Sequence, residues 1–256
     1  MMKVASRVAS GAALVAGAIS AISLALHGSR FGAVNTMNDL ESALAAAKRT
    51  LSALLERAAQ GVAIADFSAL RAASEACLVA ERNLGIARGE ETAVALEWLP
   101  RWSTGAAMPH VVANSHRTIV IYLAETPDPR WDGSYATMKD PSQTGDENLA
   151  LVQFDRTVAH RIGSPNDEVI QGHPLHGRGL QAYAAHRIVN SKWIAELQAI
   201  NSVHAGYRSE TWATLIHYLL FFHDETFECI APVHKIEPFR GSFRSALALA
   251  CLRLLT

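Results

Sequence analysis

The sequence is poor in the features that usually reveal a chain's chemistry. Its three cysteines, Cys77, Cys229 and Cys251, are odd in number and far apart, and no C-x-x-C pair occurs. That argues against a disulfide framework and a zinc-ribbon site. Runs of basic residues are missing too: Lys48-Arg49 is the longest cluster, and the formal net charge is −1. A nucleic-acid binder normally carries a basic excess on at least one segment, so no nucleic-acid partner is expected. Charged residues make up 18% of the chain against 50% hydrophobic, a balance that points away from a disordered protein. There is no Walker loop, dinucleotide fingerprint, G-x-S-x-G elbow or His-Glu-x-x-His helix. No cofactor and no metal are expected.

What is present begins with an apolar leader. Residues 8–26 carry no charge, with Lys3 and Arg7 before them and His27 and Arg30 after. The length is near the ~20 residues that cross a bilayer as a helix. Ala5, Ala9, Ala13, Gly17, Ala21 and Ala25 recur at four-residue steps, the smooth ridge that lets membrane helices approach closely. Three readings follow for residues 1–36. The segment is a membrane anchor, a signal peptide with Ser23-Leu-Ala25 as a loose cleavage site, or a non-native extension ahead of a start at Met37. The first two make the protein membrane-associated or exported, the third cytoplasmic.

Residues 37–95 read as a helical hairpin. Leu40, Leu44, Leu51, Leu54 and Leu55 recur at mostly helical steps, with Asn38 or Asp39 as a cap and Gly61 as a stop. Asp66 or Ser68 can cap a second helix carrying Phe67, Leu70, Cys77, Leu78 and Leu84. No titratable constellation lies on the pair, which suits packing or homo-oligomerisation. A short apolar helix is expected over 92–99, stopped by Pro100.

Residues 96–256 form the third segment. Strands are expected at 118–124, 135–139, 149–154, 182–189, 212–222 and 227–232 from their β-branched and aromatic content. Turns fall at Asp128-Pro129 and Asp132-Gly133. A helix capped by Asn190 or Ser191 runs to about 200, and another covers 242–254. Short connections favour antiparallel pairing. The fold class is therefore α+β: a mostly antiparallel sheet of about five or six strands with helices on one face.

Ten of the eleven histidines lie between His110 and His234. His217 and His223 flank an apolar run, but six residues of strand separate them by roughly 20 Å, too far for one metal ion. If the chain reverses at Asp224-Glu225, His223 and Glu228 become diagonal neighbours on one face, within side-chain reach. A carboxylate beside an imidazole is the usual acid–base arrangement; a solvated polar hairpin tip is the competing reading. Cys229 then faces the opposite way. A second constellation runs through Asn166, Asp167, His173, His176 and Arg178. Gly177 and Gly179 let backbone approach a ligand, and Arg178 can hold a carboxylate or phosphate. The competing reading is an ordered loop in which Asn166 and Asp167 cap local turns. His223, Glu228, Asp224 and His173 are thus the candidate catalytic residues, and His176, Arg178, Asn166 and Asp167 the candidate ligand-binding ones. The five tryptophans are too dispersed for a cage and are assigned to core or interface.

Two functions are open: a module that binds a small molecule or protein, tethered to a membrane if the leader is an anchor, or an acid–base enzyme of hydrolase or lyase type. Whether 164–179 and 223–228 line one cleft separates them.

Overall fold

A computed structural model of the chain describes residues 36–60, 67–126, 140 and 145–256. The expected leader helix, the strand at 135–139 and the turns at 128–133 lie outside the described residues. Among the described residues, no helix is long and apolar enough to cross a membrane. The chain divides into two compact units, Met1–Arg88 and Gly89–Thr256.

In the first unit, α1 (Met37–Ala59) and α2 (Phe67–Ala87) pack against each other. Pairs Arg88–Glu41 and Lys48–Glu81 make them antiparallel. The cap of α1 is Thr36 rather than Asn38 or Asp39: its hydroxyl accepts the Asp39 N–H while the Asp39 carboxylate accepts the Thr36 N–H. That reciprocal pair answers two helix-end donors at once. On α2, Ala73, Cys77, Ala80 and Leu84 form a buried stripe at helical spacing.

The second unit is mixed helix and sheet, but with two sheets where one was expected. A five-stranded antiparallel sheet has the order β1 (Thr92–Ala95), β6 (Ala185–Val189), β7 (Ile216–Phe221), β8 (Thr226–Ala231), β5 (Ala159–Gly163). A four-stranded antiparallel sheet has the order β2 (His110–Ala113), β3 (Arg117–Leu123), β4 (Glu147–Asp155), β9 (Val233–Gly241). The expected helix at 92–99 is instead strand β1, paired with β6. Ala93 is fully buried there, and a four-residue apolar run is too short for its period to distinguish helix from strand.

The sheets meet face to face. Val120, Tyr122, Val152 and Phe154 from one share a core with Tyr218, Leu220, Phe227 and Cys229 from the other. The outer face of the four-stranded sheet, Ile119, Ile121, Leu149 and Leu151, is covered by Phe243, Ala246 and Ala250 of α5 (Phe243–Arg253). On the outer face of the five-stranded sheet, Leu219 and Phe221 are covered by Leu175 and Leu180. Helices and loops thus stand on both outsides, not on one face. Covering both faces is why β3 and β7 are near-continuous apolar runs rather than alternating ones. Two more helices, α3 (Lys192–Asn201) and the short α4 (Ser209–Ala213), connect β6 to β7.

Candidate functional site

The β7–β8 hairpin sets the site. Its connection is four residues, Phe222 to Glu225, with the Phe222 N–H donating to the Glu225 carbonyl. Phe221 therefore faces Thr226 and Leu219 faces Glu228. A reversal at Asp224-Glu225 would have put His223 opposite Thr226, so the register differs by two residues. The diagonal neighbour of Glu228 becomes His217, whose Nε2 lies 2.8 Å from Glu228 Oε2. On the other side β5 brings Arg161 directly opposite Glu228. Arg161 Nε donates to Glu228 Oε1 at 2.7 Å, and a terminal nitrogen of the same guanidinium lies 2.6 Å from that oxygen.

The network extends into α3. His217 Nδ1 is 2.8 Å from the Ser191 hydroxyl, which caps α3 by accepting the Ile194 N–H. Trp193, two residues on, stands edge-on to His217, and the Arg161 guanidinium lies 4.6 Å over its ring. Glu91 accepts the Lys192 N–H at 2.8 Å and so also closes the start of α3. His217 and Glu228 are nearly enclosed, with side chains 3% and 9% exposed, whereas Arg161 is 60% exposed. Burial pushes the Glu228 carboxyl up, but the His217 hydrogen bond and the Arg161 charge outweigh it and hold the group below its ordinary value.

Glu91, Arg161, Trp193, His217 and Glu228 line a cleft of about 650 Å³. Its other wall is the segment from Ser164 to Leu175, with Pro165, Val169, His173 and Pro174, while Lys192 and Glu196 of α3 also line it. His173 Nδ1 accepts the Leu175 N–H at 3.1 Å, and burial pulls the imidazole below its ordinary value. A neutral ring with Nδ1 occupied carries its hydrogen on Nε2, as a donor.

The Arg161 guanidinium has two usable edges. Glu228 takes the side containing Nε, and the end edge formed by the two terminal nitrogens is left for an incoming carboxylate or similar oxyanion. The indole face beneath and the carboxylate beside it fix its orientation.

The other residues singled out from the sequence divide between places. Of the four candidate catalytic residues, His173 and Glu228 share the cleft. His223 stands beside it at the hairpin end, with Nδ1 3.0 Å from Asp167 Oδ1 and 3.2 Å from the Tyr183 hydroxyl. Tyr183 donates to the other Asp167 oxygen. Asp224 is solvated, 4.0 Å from His223. Asn166 caps the 3-10 turn Asp167–Gly172 without a side-chain bond. Arg178 pairs with Glu90 at 3.5 Å, and its carbonyl accepts the Ala93 N–H, so it holds β1. His176 continues the turn after His173 through its backbone N–H. Neither Arg178 nor His176 lines the cleft. Cys229 is on the inner face, where burial pushes its thiol up to about 12.

Arg161, Trp193, His217 and Glu196 escaped sequence reasoning as site residues. The signal for His217 was present, since a four-residue connection makes it the partner of Glu228. Arg161 could be placed only by recognising β5, a short edge strand. Within this two-sheet α+β unit the cleft lies on the outer face of the five-stranded sheet. Comparison with family models, with curated proteins and with solved structures gives no match for this chain.

Proposed function

We propose that this protein is a ligand-binding α+β module whose cleft takes a small molecule through an acidic group. The observation that carries this reading is Arg161, largely exposed yet held by Glu228 on one side and by Trp193 beneath. An arginine fixed before the ligand arrives loses less conformational freedom on binding. His173 Nε2–H and Lys192 add donors to the same space. The volume is in the range of small-molecule sites, ~300–1,000 Å³.

The acid–base enzyme is the second reading. It is favoured by the meeting of the Ser164–Leu175 segment with β7 and β8 in one cleft that holds His173, His217 and Glu228. It is weakened because both nitrogens of His217 and both oxygens of Glu228 are already engaged within the fold. Calorimetric titration of the full chain with a panel of small carboxylic acids tests the binding reading. Arg161→Ala should weaken the bound acids at least about tenfold, and Arg161→Lys should recover only part, because an ammonium cannot present a two-pronged edge. Binding indifferent to both substitutions would refute it.

A further inference from the structure

We infer that the cleft's ligand is a zwitterion of amino-acid type, its carboxylate on Arg161, its ammonium at Glu196 and an apolar side chain against the Pro165–Val169–Leu175 wall. This rests on the reading of Arg161 as an anion clamp.

The charges lining the cleft argue against a simple anion. Besides the histidines they are three carboxylates, Glu91, Glu196 and Glu228, against two cations, Arg161 and Lys192. Two of the carboxylates have structural work: Glu228 holds Arg161 and His217, and Glu91 closes the start of α3. Glu196 has no hydrogen bond or ion pair among the described residues, yet it lines the cleft and is exposed. Trp193 and Glu196 are three residues apart on α3 and so share a face. Arg161 lies on the Trp193 ring. The Cβ atoms of Trp193 and Glu196 are therefore about 5–6 Å apart, and Glu196 stands next along the helix from the ring that Arg161 covers. That spacing lets the two ends of an α-amino acid reach one group each, with the flexible Glu196 side chain closing the remaining gap. A dianion would meet a surplus of carboxylates, and a monoanion would leave Glu196 with nothing to bind. The opposite wall supplies the third contact. Val169 is 54% exposed although it lines the cleft beside Pro165 and Leu175, apolar surface that an aliphatic or aromatic side chain would cover.

The test is calorimetric titration of the full chain with aliphatic and aromatic L-amino acids, each beside its desamino acid and its decarboxylated amine: leucine with 4-methylpentanoate and 3-methylbutylamine, phenylalanine with 3-phenylpropanoate and phenethylamine. At least one amino acid should bind about tenfold or more tighter than either analogue. Glu196→Gln should erase the advantage over the desamino acid and leave that acid's own binding unchanged. Arg161→Ala should remove both. Desamino acids binding as tightly as their amino acids, or amino-acid binding unaffected by Glu196→Gln, would overturn the zwitterion and leave the anion clamp standing. Absence of Arg161-dependent binding across the whole panel would overturn both.

Discussion

Glu228 joins three elements through one side chain: β8 carries it, β7 supplies His217 and β5 supplies Arg161. Removing its charge leaves a largely buried His217 facing a weaker acceptor and Arg161 without its counter-ion. Glu228→Gln should cost about 1–3 kcal/mol near neutral pH, below the full cost of breaking a buried pair because Arg161 is solvated. The carboxyl sits below its ordinary value when folded, so its stabilisation is complete above the unfolded value of ~4.3 and fades as pH falls through the lowered one. Urea unfolding at neutral and at acid pH measures this: the gap between wild type and variant should shrink on acidification, and a pH-independent gap would count against it. The cysteines make a second residue-scale forecast. Cys77 and Cys229 are buried with thiols raised chiefly by burial, and Cys251 is exposed. A thiol reagent should label Cys251 in the native protein and reach the other two only after denaturation.

Among the elements, the segment forming the cleft's outer wall is tied to the β7–β8 turn by several bonds. The Asp167 N–H donates to the His223 carbonyl at 3.1 Å, and the Thr226 hydroxyl to the Pro165 carbonyl at 2.8 Å. The side chains of Asp167, Tyr183 and His223 then meet. The Asp167 hydrogen bond raises the His223 value, with Asp224 and Glu168 adding to it, while Tyr183 and His223 lower the Asp167 value. The His223 contribution is thus complete below the ordinary ~6.5 and lost as pH rises through the raised value; that of Asp167 is complete above ~3.9 and lost as pH falls through the lowered one. Between those limits the tie is tightest. Hydrogen-exchange protection of residues 165–172, corrected for intrinsic rates, should fall as pH rises above neutrality, and His223→Gln should flatten that dependence. A wild-type profile no steeper than the variant's would dismiss the tie.

The same elements separate what the sequence made legible from what it hid. α3 with its Ser191 cap, α5 and β8 follow from capping residues and apolar runs long enough to show their period, and β7 follows from the later part of the strand expected at 212–222, whose first residues, Trp212 and Ala213, belong to α4 instead. β5 and β9 were hidden because they are edge strands among the described residues: β9 carries Pro238, Lys235, Glu237 and Arg240, tolerated where one side has no partner strand among them. The split into two sheets was hidden for another reason. A run such as Ile119 to Leu123 announces that both faces are covered, but not whether a helix or a second sheet covers them. Of the site, the histidine-bearing loop and Glu228 were visible. Their partners depended on a register fixed by a connection with neither Gly nor Asn to mark its length.

At the scale of the whole molecule, Gly89–Thr256 holds both sheets and their shared core. A fragment beginning at Gly89 should unfold in one cooperative transition. One beginning at residue 96 should be less stable by about 1–3 kcal/mol, because it loses β1 and the fully buried Ala93 and Thr92 and exposes the edge of β6. Thermal or denaturant melts of the two fragments make the comparison; equal midpoints would show that β1 contributes nothing. The pairing of β4 with β9 has a consequence for how the chain is made. β4 pairs with β9 along its full length, from Glu147 opposite Gly241 to Asp155 opposite Val233, and α5, which roofs that sheet, follows β9. A chain emerging from the ribosome N-terminus first therefore holds Leu149, Leu151 and Val152 on an open strand edge until residues 233–241 are free. The nascent chain is exposed to wrong partners throughout the interval between the making of β4 and of β9, and a stop codon before residue 233 would leave it there permanently.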